Sequence, residues 1–310
     1  MTDHSDQTMR FIKDYKDDPI LRKSFNELAK ATFGIDFEPW YEKGYWTDAY
    51  IPYSFRIGEE IIANVSVNKM YLQWEGQTYS AIQIGTVMTA KAHRKQGLAY
   101  KLLYGVMEEW ENQVDLIYLF GNDLALDLYL QFDMTPYGEY TYGIGREDLA
   151  RYKENLKLPL SQGRKLNLSS KEDHELMVDL IAHRLPQSQG IGVSGDLHLI
   201  MFYCHHMLAD HLWYLPELEA IVVKKEDEGH LVIQEVIART PITIDAVLPH
   251  LLSAQTQRVS LGYQPLRDTD GQGQLTISQE RLEVEDQTLL IRPRGPMPDK
   301  PFRFPALSHA

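Results

Sequence analysis

The chain carries a single cysteine, Cys204, in 310 residues. One thiol excludes a disulfide framework and any cysteine-rich zinc site. Also missing is an apolar run of about 18 residues, the length a membrane-spanning helix needs. The opening MTDHSDQTMR is polar and no apolar stretch follows it, so it does not read as a secretory signal. Positive charge is in short supply: 31 Lys and Arg stand against 44 Asp and Glu, a net charge of −13. Residues 1–150 hold 14 basic and 23 acidic side chains, and residues 151–310 hold 17 and 21. Such a field repels phosphate backbones and anionic lipid, which argues for no nucleic acid partner and no membrane partner, and favours cationic small molecules. A cytoplasmic enzyme or binding protein is the expectation.

What is present is ordinary for a soluble protein, with 44% apolar and 24% charged residues. The length suits two domains, each able to bury a core without staples. After some fifteen polar residues, read as a frayed end, Pro19 opens a helical pattern. Ile20, Leu21, Phe25, Leu28, Ala29 and Phe33 recur at helix spacing until Gly34 stops it. An aromatic segment from Phe37 to Tyr53 follows, read as short helix and loop. Strand signals at 53–57, 61–74 and 79–89, punctuated by Gly58-Glu59-Glu60 and Glu75-Gly76, predict an antiparallel meander. The period then changes: from Gly97, Leu98, Leu102, Val106 and Trp110 mark one face of a helix. LIYLF (116–120) reads as a buried central strand, 123–132 as a short helix, and 137–144 as strands. A polar connector (Lys153–Lys165) leads to helices over 171–184 and 197–212 and a hairpin over 218–238. A helix over 243–254, a strand over 259–263, a hairpin over 281–292 and a loop-like tail from Gly295 complete the reading. The second half repeats the order of the first, which suggests a diverged duplication.

The segment that carries chemistry is Val87-Met88-Thr89-Ala90-Lys91-Ala92-His93-Arg94-Lys95-Gln96-Gly97-Leu98-Ala99. A strand ends near Thr89, a short polar loop crosses, and an amphipathic helix starts at about Gly97. Amides at a helix start are unsatisfied and carry partial positive charge, so they cradle a phosphate or pyrophosphate. Gly97 allows close approach of the anion to the backbone, Ala99 leaves room, and Arg94 adds a fixed charge. Alone, R-x-x-G-x-A is a weak signal that a plain surface loop also satisfies. Its placement between a long strand, a well-patterned helix and a buried strand strengthens it.

In that setting the segment resembles the acetyl-CoA-binding motif of the GNAT N-acetyltransferase superfamily. Two further blocks agree in order and spacing: Asp115 to Asn122, and Ala125, Leu128 and Tyr129 of a family pattern A-x-x-[FL]-Y-x-x-x-G-F. Asp133 and Met134 depart from its Gly-Phe. The resemblance covers about residues 10–145. It implies an α/β GNAT acyltransferase fold, a mostly antiparallel mixed sheet whose central parallel strands splay apart around acetyl-CoA. It also implies an N-acetyltransferase, an acyltransferase moving groups other than aminoacyl groups, in which a primary amine attacks the thioester directly. Val87, Met88 and Thr89 would hold the pantetheine arm. Arg94, Lys95, Gln96, Gly97, Leu98 and Ala99 would hold the pyrophosphate, and Asn122 would supply a polar contact to the cofactor. Tyr129 would protonate the departing thiolate, its alternative being a core tyrosine. Some members carry a glutamate six residues before the position of Thr89; here that residue is Gln83. A water chain, the C-terminal carboxylate or another acid such as Glu60 stays open as the base. The aromatic segment reads either as acceptor-pocket wall or as plain core, and Glu38, Glu42 and Asp48 beside it would suit a cationic amine. The acceptor is a small-molecule or peptide amine, and the reading admits a homo-oligomer.

Two motifs read as decoys. Gly190-Ile191-Gly192-Val193-Ser194-Gly195 matches G-x-G-x-x-G but no strand precedes it, so it reads as a flexible loop. Cys204-His205-His206 with Asp210 and His211 reads as packing, with no metal. Residues 151–310 resemble the second, non-canonical GNAT-like domain of tandem members: smaller, α/β and degenerate. Their loop Arg239-Thr240-Pro241-Ile242-Thr243 has no glycine and so no phosphate cradle. The expected division is therefore 1–150, the catalytic domain, and 151–310, a structural or substrate-shaping one. The alternatives are a catalytically silent acyl-CoA-binding sensor and a purely structural protein on the same fold.

Overall fold

The computed structural model describes residues 8–156, 163–267, 275–282, 287–298 and 302–309. The first seven residues, expected to be frayed, and residues 157–162 of the expected connector lie outside the described residues. The elements in chain order begin with β1 (Met9–Lys13), α1 (Pro19–Phe33), α2 (Glu38–Glu42), β2 (Tyr50–Ile57), β3 (Glu60–Trp74) and β4 (Gln77–Thr89). Then come α3 (Leu98–Trp110), β5 (Leu116–Gly121), α4 (Leu126–Leu130), β6 (Thr135–Pro136), β7 (Tyr140–Ile144) and α5 (Arg146–Asn155). The second half contributes β8 (Arg164–Lys165), α6 (Lys171–His183), β9 (Gly192–Ser194), α7 (Leu197–His206), β10 (Leu212–Leu215), β11 (Ala220–Asp227) and β12 (His230–Ile237). Last are α8 (Ile244–Val247), β13 (Arg258–Leu261), β14 (Ser278–Arg281) and β15 (Thr288–Pro293).

These strands build two mixed sheets, an α/β arrangement. The first has the order β1-β2-β3-β4-β5-β15-β6, with β9 added along β3; the second runs β14-β7-β13-β12-β11-β10-β8. Each contains one parallel pair, β4 with β5 and β12 with β13, among antiparallel neighbours. Strands are exchanged across residue 150. β7 belongs to the second sheet, where it pairs with β13, and β15 returns to the first, where it pairs with β5.

Local sequence explains most boundaries. Asp18 caps α1 by accepting from the amides of Ile20 and Leu21 at 2.9 and 3.1 Å, and Gly34 ends it with φ 73°. Glu75-Gly76 and Glu228-Gly229 turn their hairpins with both residues at positive φ, the geometry that a two-residue hairpin turn demands.

Five expectations need correction. Residues 9–13 are an edge strand rather than a frayed end, held by β2. β2 starts at Tyr50, inside the aromatic segment. The helix expected over 243–254 is one short turn, Ile244–Val247, and then a 3₁₀ turn at Leu248–His250, which contains Pro249. The hairpin expected over 281–292 does not form, because β14 joins the second sheet and β15 the first. The G-x-G-x-x-G segment is an edge strand rather than a flexible loop: Gly192 pairs with Gln73. Arg184 donates to the Val193 carbonyl and to Asp196, both at 2.8 Å. A Cβ on Gly192 would stand 2.3 Å from Pro186, so that glycine serves packing.

Helix α3 covers one face of the first sheet, burying Leu98, Leu102, Leu103 and Val106 against Val65, Ile82 and Leu119. The other face meets α1, α2, α6, α7 and the second sheet in one continuous core, which includes Phe25, Trp40, Met177, Phe202 and Ile221. The indole of Trp40 donates to the His198 carbonyl at 2.8 Å, tying the aromatic segment to the second half.

Candidate functional site

The site begins where β4 and β5 part. Their register runs Ala81–Leu116, Ile82–Ile117 and Gln83–Tyr118, and stops. Both strands continue, β4 to Thr89 and β5 to Gly121. Unpaired peptide groups along two diverging strands need a partner. A bulge in β4 deepens the break: its register with β3 shifts between Asn64 and Ser66, and Thr86 sits at φ 49°. Val87 and Thr89 are half-buried, and Met88 points into the core that joins the two halves.

At the end of β4 the chain makes a 3₁₀ turn at Lys91–His93 and reaches α3 through Arg94, Lys95, Gln96 and Gly97, all exposed. Arg94 Nε donates to the Thr89 carbonyl at 3.1 Å, fixing the loop to the strand end. Lys95 and Gly97 both have positive φ, 63° and 72°. Gly97 is the N-cap of α3, no side chain caps the helix, and the first helical bond is Lys101 N to Gly97 O. A Cβ on Gly97 would meet nothing within 4 Å. The glycine is therefore set by its left-handed backbone and leaves open space over the helix start, as an anion cradle requires. Leu98 is buried and anchors the helix, and Ala99 is half-buried behind the cradle. Residues 87–99 thus fit a pantetheine-pyrophosphate group.

Tyr129 lies on α4, buried, with its ring 3.1 Å from where a Cβ on Gly121 would be. Burial alone pushes its hydroxyl up to about 12. Asn122 is committed in part: its Oδ1 accepts from Ala125 N at 3.0 Å and starts the turn that leads into α4. Gln83 is fully buried, and neither of its side-chain polar atoms has a protein partner among the described residues.

Beside the bulge lies a cavity of about 260 Å³ that the sequence only half revealed. The aromatic segment supplies Phe37, Trp40 and Tyr50, as expected of a wall, while Trp46 and Tyr45 are core behind it. Phe202 and Tyr203 of α7 close the other side. Asn68, Thr86 and His309 bring polar atoms. Glu38, Glu42 and Asp48 do not face it. Glu38 pairs with Arg22 at 2.9 Å, Asp48 with Lys16 at 2.6 Å, and Glu42 is exposed. The reason is local: Glu38 on α2 and Asp48 in the loop before β2 turn toward basic groups at the N-terminal edge.

The expected decoys stay apart from this site. His206 faces the Asp36 carbonyl, and Asp210 pairs with Lys165. Among the described residues no three His, Cys, Asp or Glu are grouped to hold a metal ion. No helix there is long and apolar enough to cross a membrane.

A sheet with splayed parallel strands and a glycine-led helix start defines an acyltransferase type of fold. Residues 20–144 match the family described as the acetyltransferase (GNAT) domain. No curated protein matches it. Among solved structures it is similar to a probable N-acyltransferase from Enterococcus faecalis (16% identity, 92% of this chain and 72% of that one, TM-score 0.59). It is also similar to a GCN5-related N-acetyltransferase from Kribbella flavida (16%, 92% and 72%, 0.55) and to Eis1 from Mycobacterium abscessus (14%, 91% and 72%, 0.56). These likenesses concern the fold, and they span both sheets.

Proposed function

We propose that the chain is an N-acetyltransferase that moves an acetyl group from acetyl-CoA to a primary amine. The observation that carries this reading is the parting of β4 and β5 after Gln83, directly before an uncapped, glycine-led helix start. Beyond the last β4–β5 pair, the side of Val87, Met88 and Thr89 that faces away from β3 would hold the pantetheine arm. The amides from Arg94 to Ala99, with the Lys95 and Gln96 loop, would hold the pyrophosphate, and the Asn122 amide would be left to touch the cofactor. Bound acetyl-CoA would supply an activated acetyl thioester. Burial keeps Tyr129 protonated at physiological pH; it would serve as proton donor to the leaving sulfur. We take residues 1–150 as the catalytic domain, lending β7 to the second sheet, and 151–310 as a degenerate GNAT-like domain, lending β9 and β15 to the first.

The test has two arms. Titration with acetyl-CoA should show saturable binding, and release of free thiol should depend on an added amine. Binding without thiol release for any amine would favour a silent sensor; no binding would overturn the reading.

A further inference from the structure

The acetyltransferase reading leaves the acceptor open, and the cavity beside Thr86 narrows it. A volume of about 260 Å³ lies just below the usual range of ligand pockets. Its walls are rings and aliphatic chains: Phe37, Trp40, Tyr50, Leu199 and Phe202, with Phe33 and Met207 half exposed at its rim. Among the described residues no carboxylate side chain lines it. A polyamine or aminoglycoside would bury several cationic or hydroxyl groups there without partners, at a cost that grows with each one.

One end of the cavity differs. Asn68 lines it and is the cross-strand partner of Gln83, so the two amides share a face of the sheet. His198 Nε2 lies 3.2 Å from Asn68 Oδ1. Among the described residues, Asn68 Nδ2, both polar atoms of Gln83, which does not itself line the cavity, and Nε2 of the cavity-lining His309 are buried without a protein partner. Gln83 is also the last residue paired with β5. The polar end therefore lies at the parting of the strands, and the apolar body of the cavity extends away from it. A ligand that satisfies both ends has one small polar head and one compact apolar body.

We propose that the acceptor is a small primary monoamine carried on a single aromatic or compact apolar group. Its ring lies among Phe37, Trp40, Tyr50 and Phe202, and its amino group lies at the Asn68–Gln83 end. The cavity would itself assist the reaction: removal from water disfavours an ammonium over the free amine, and the free amine is the nucleophile. No carboxylate base at position 83 is then needed. The amine nitrogen forms the new bond to the acetyl carbon, the carbon–sulfur bond breaks with its electron pair going to sulfur, and the proton lost by nitrogen is balanced by the one the thiolate gains.

The experiment compares phenethylamine and tryptamine with spermidine, an aminoglycoside and a lysine-containing peptide, with acetyl-CoA titration run alongside. We expect kcat/KM for the arylalkylamines to exceed that for the others by at least about 100-fold. Phe33→Glu and Met207→Glu change half-exposed rim positions that tolerate polarity. Each should raise the KM for the arylalkylamine about 5- to 20-fold and leave acetyl-CoA affinity unchanged. Saturable acetyl-CoA binding with spermidine, the aminoglycoside or the peptide as the better acceptor would overturn this inference and leave the transferase reading standing. Loss of acetyl-CoA binding in the unaltered protein would overturn both.

Discussion

The two parallel strand pairs of this molecule begin alike and end differently. β4 and β5 keep register for three residue pairs and part after Gln83; β12 and β13 keep it for four, His230–Arg258 to Ile233–Leu261, and then part as well. In the first sheet the gap faces the open helix start at Gly97 and the neighbouring cavity. In the second, the chain's own C-terminal segment fills it. Ala306 N donates to the Gly262 carbonyl at 3.1 Å, Arg303 donates to the Leu261 carbonyl at 3.1 Å, and the 3₁₀ turn Ala306–Ser308 packs on β12. A Cβ on Gly262 would sit 3.0 Å from Ala306. The same segment then crosses to the first sheet, where Phe304 stacks on Tyr118 at 4.5 Å, the Ser308 carbonyl accepts from the Tyr118 hydroxyl, and His309 reaches the cavity. A strand gap leaves peptide groups in need of partners. Here one gap is satisfied by the chain itself, and the cofactor would satisfy the other under the function proposed above.

The largest expected effect tests whether the open gap is catalytic. Tyr129→Phe should lower kcat by roughly 10²–10⁴, the worth of a positioned proton donor, and leave acetyl-CoA affinity nearly intact. Steady-state kinetics and titration on the same preparation separate the two. Wild-type turnover in the variant would reduce Tyr129 to packing against Gly121 and Leu290.

The next prediction tests whether only one gap binds cofactor. Arg94→Ala with Gly97→Val should weaken acetyl-CoA by ~2–4 kcal/mol, about 30- to 1,000-fold in Kd. Valine at φ 72° is strained even with empty space around it, and the arginine holds the loop to Thr89. Calorimetry on the unaltered protein should give one acetyl-CoA per chain. A second site that survives the double change would mean that the Arg303–Ser308 segment does not occupy the second gap in solution.

How much of this the sequence showed follows from the range of the interactions involved. The Pro19 start and Gly34 stop of α1, the Glu-Gly turns, the 3.6-residue period of α3 and the Gly97 helix start are local, and each was legible. Motif and composition singled out Tyr129 and the aromatic segment, of which Phe37, Trp40 and Tyr50 line a cavity. β15 looked like the return arm of a hairpin because its short apolar run, Leu289-Leu290-Ile291, suits either sheet, and only tertiary pairing decides between them. The Gly295 tail looked like loop because Phe302, Phe304 and Leu307 are too few to show a period, although all three are buried. His309 and Phe202 reach the cavity from distant parts of the chain, and no spacing in the sequence links them to Thr86.

The smallest effect concerns the plug. Glu139 Oε1 accepts from the Phe304 amide at 2.8 Å and holds the segment in the second gap. Burial pushes its carboxyl up to about 7, against the pull of that hydrogen bond and of Arg303. A carboxyl whose folded pKa lies above its unfolded value favours the fold when protonated. That stability is complete below about 4.5 and is lost as pH rises through about 7. Glu139→Gln keeps an oxygen for the Phe304 amide and removes the titration. Between pH 5 and 8 the unaltered protein should therefore lose more stability than the variant, by on the order of 1–3 kcal/mol. Glu235, also raised to about 7 by burial, and His309, lowered to about 3, titrate in both proteins and cancel in the difference. Urea unfolding across that range measures it. Equal slopes for the two proteins would show that Glu139 is ionised in the fold and that the plug is held by apolar contact alone.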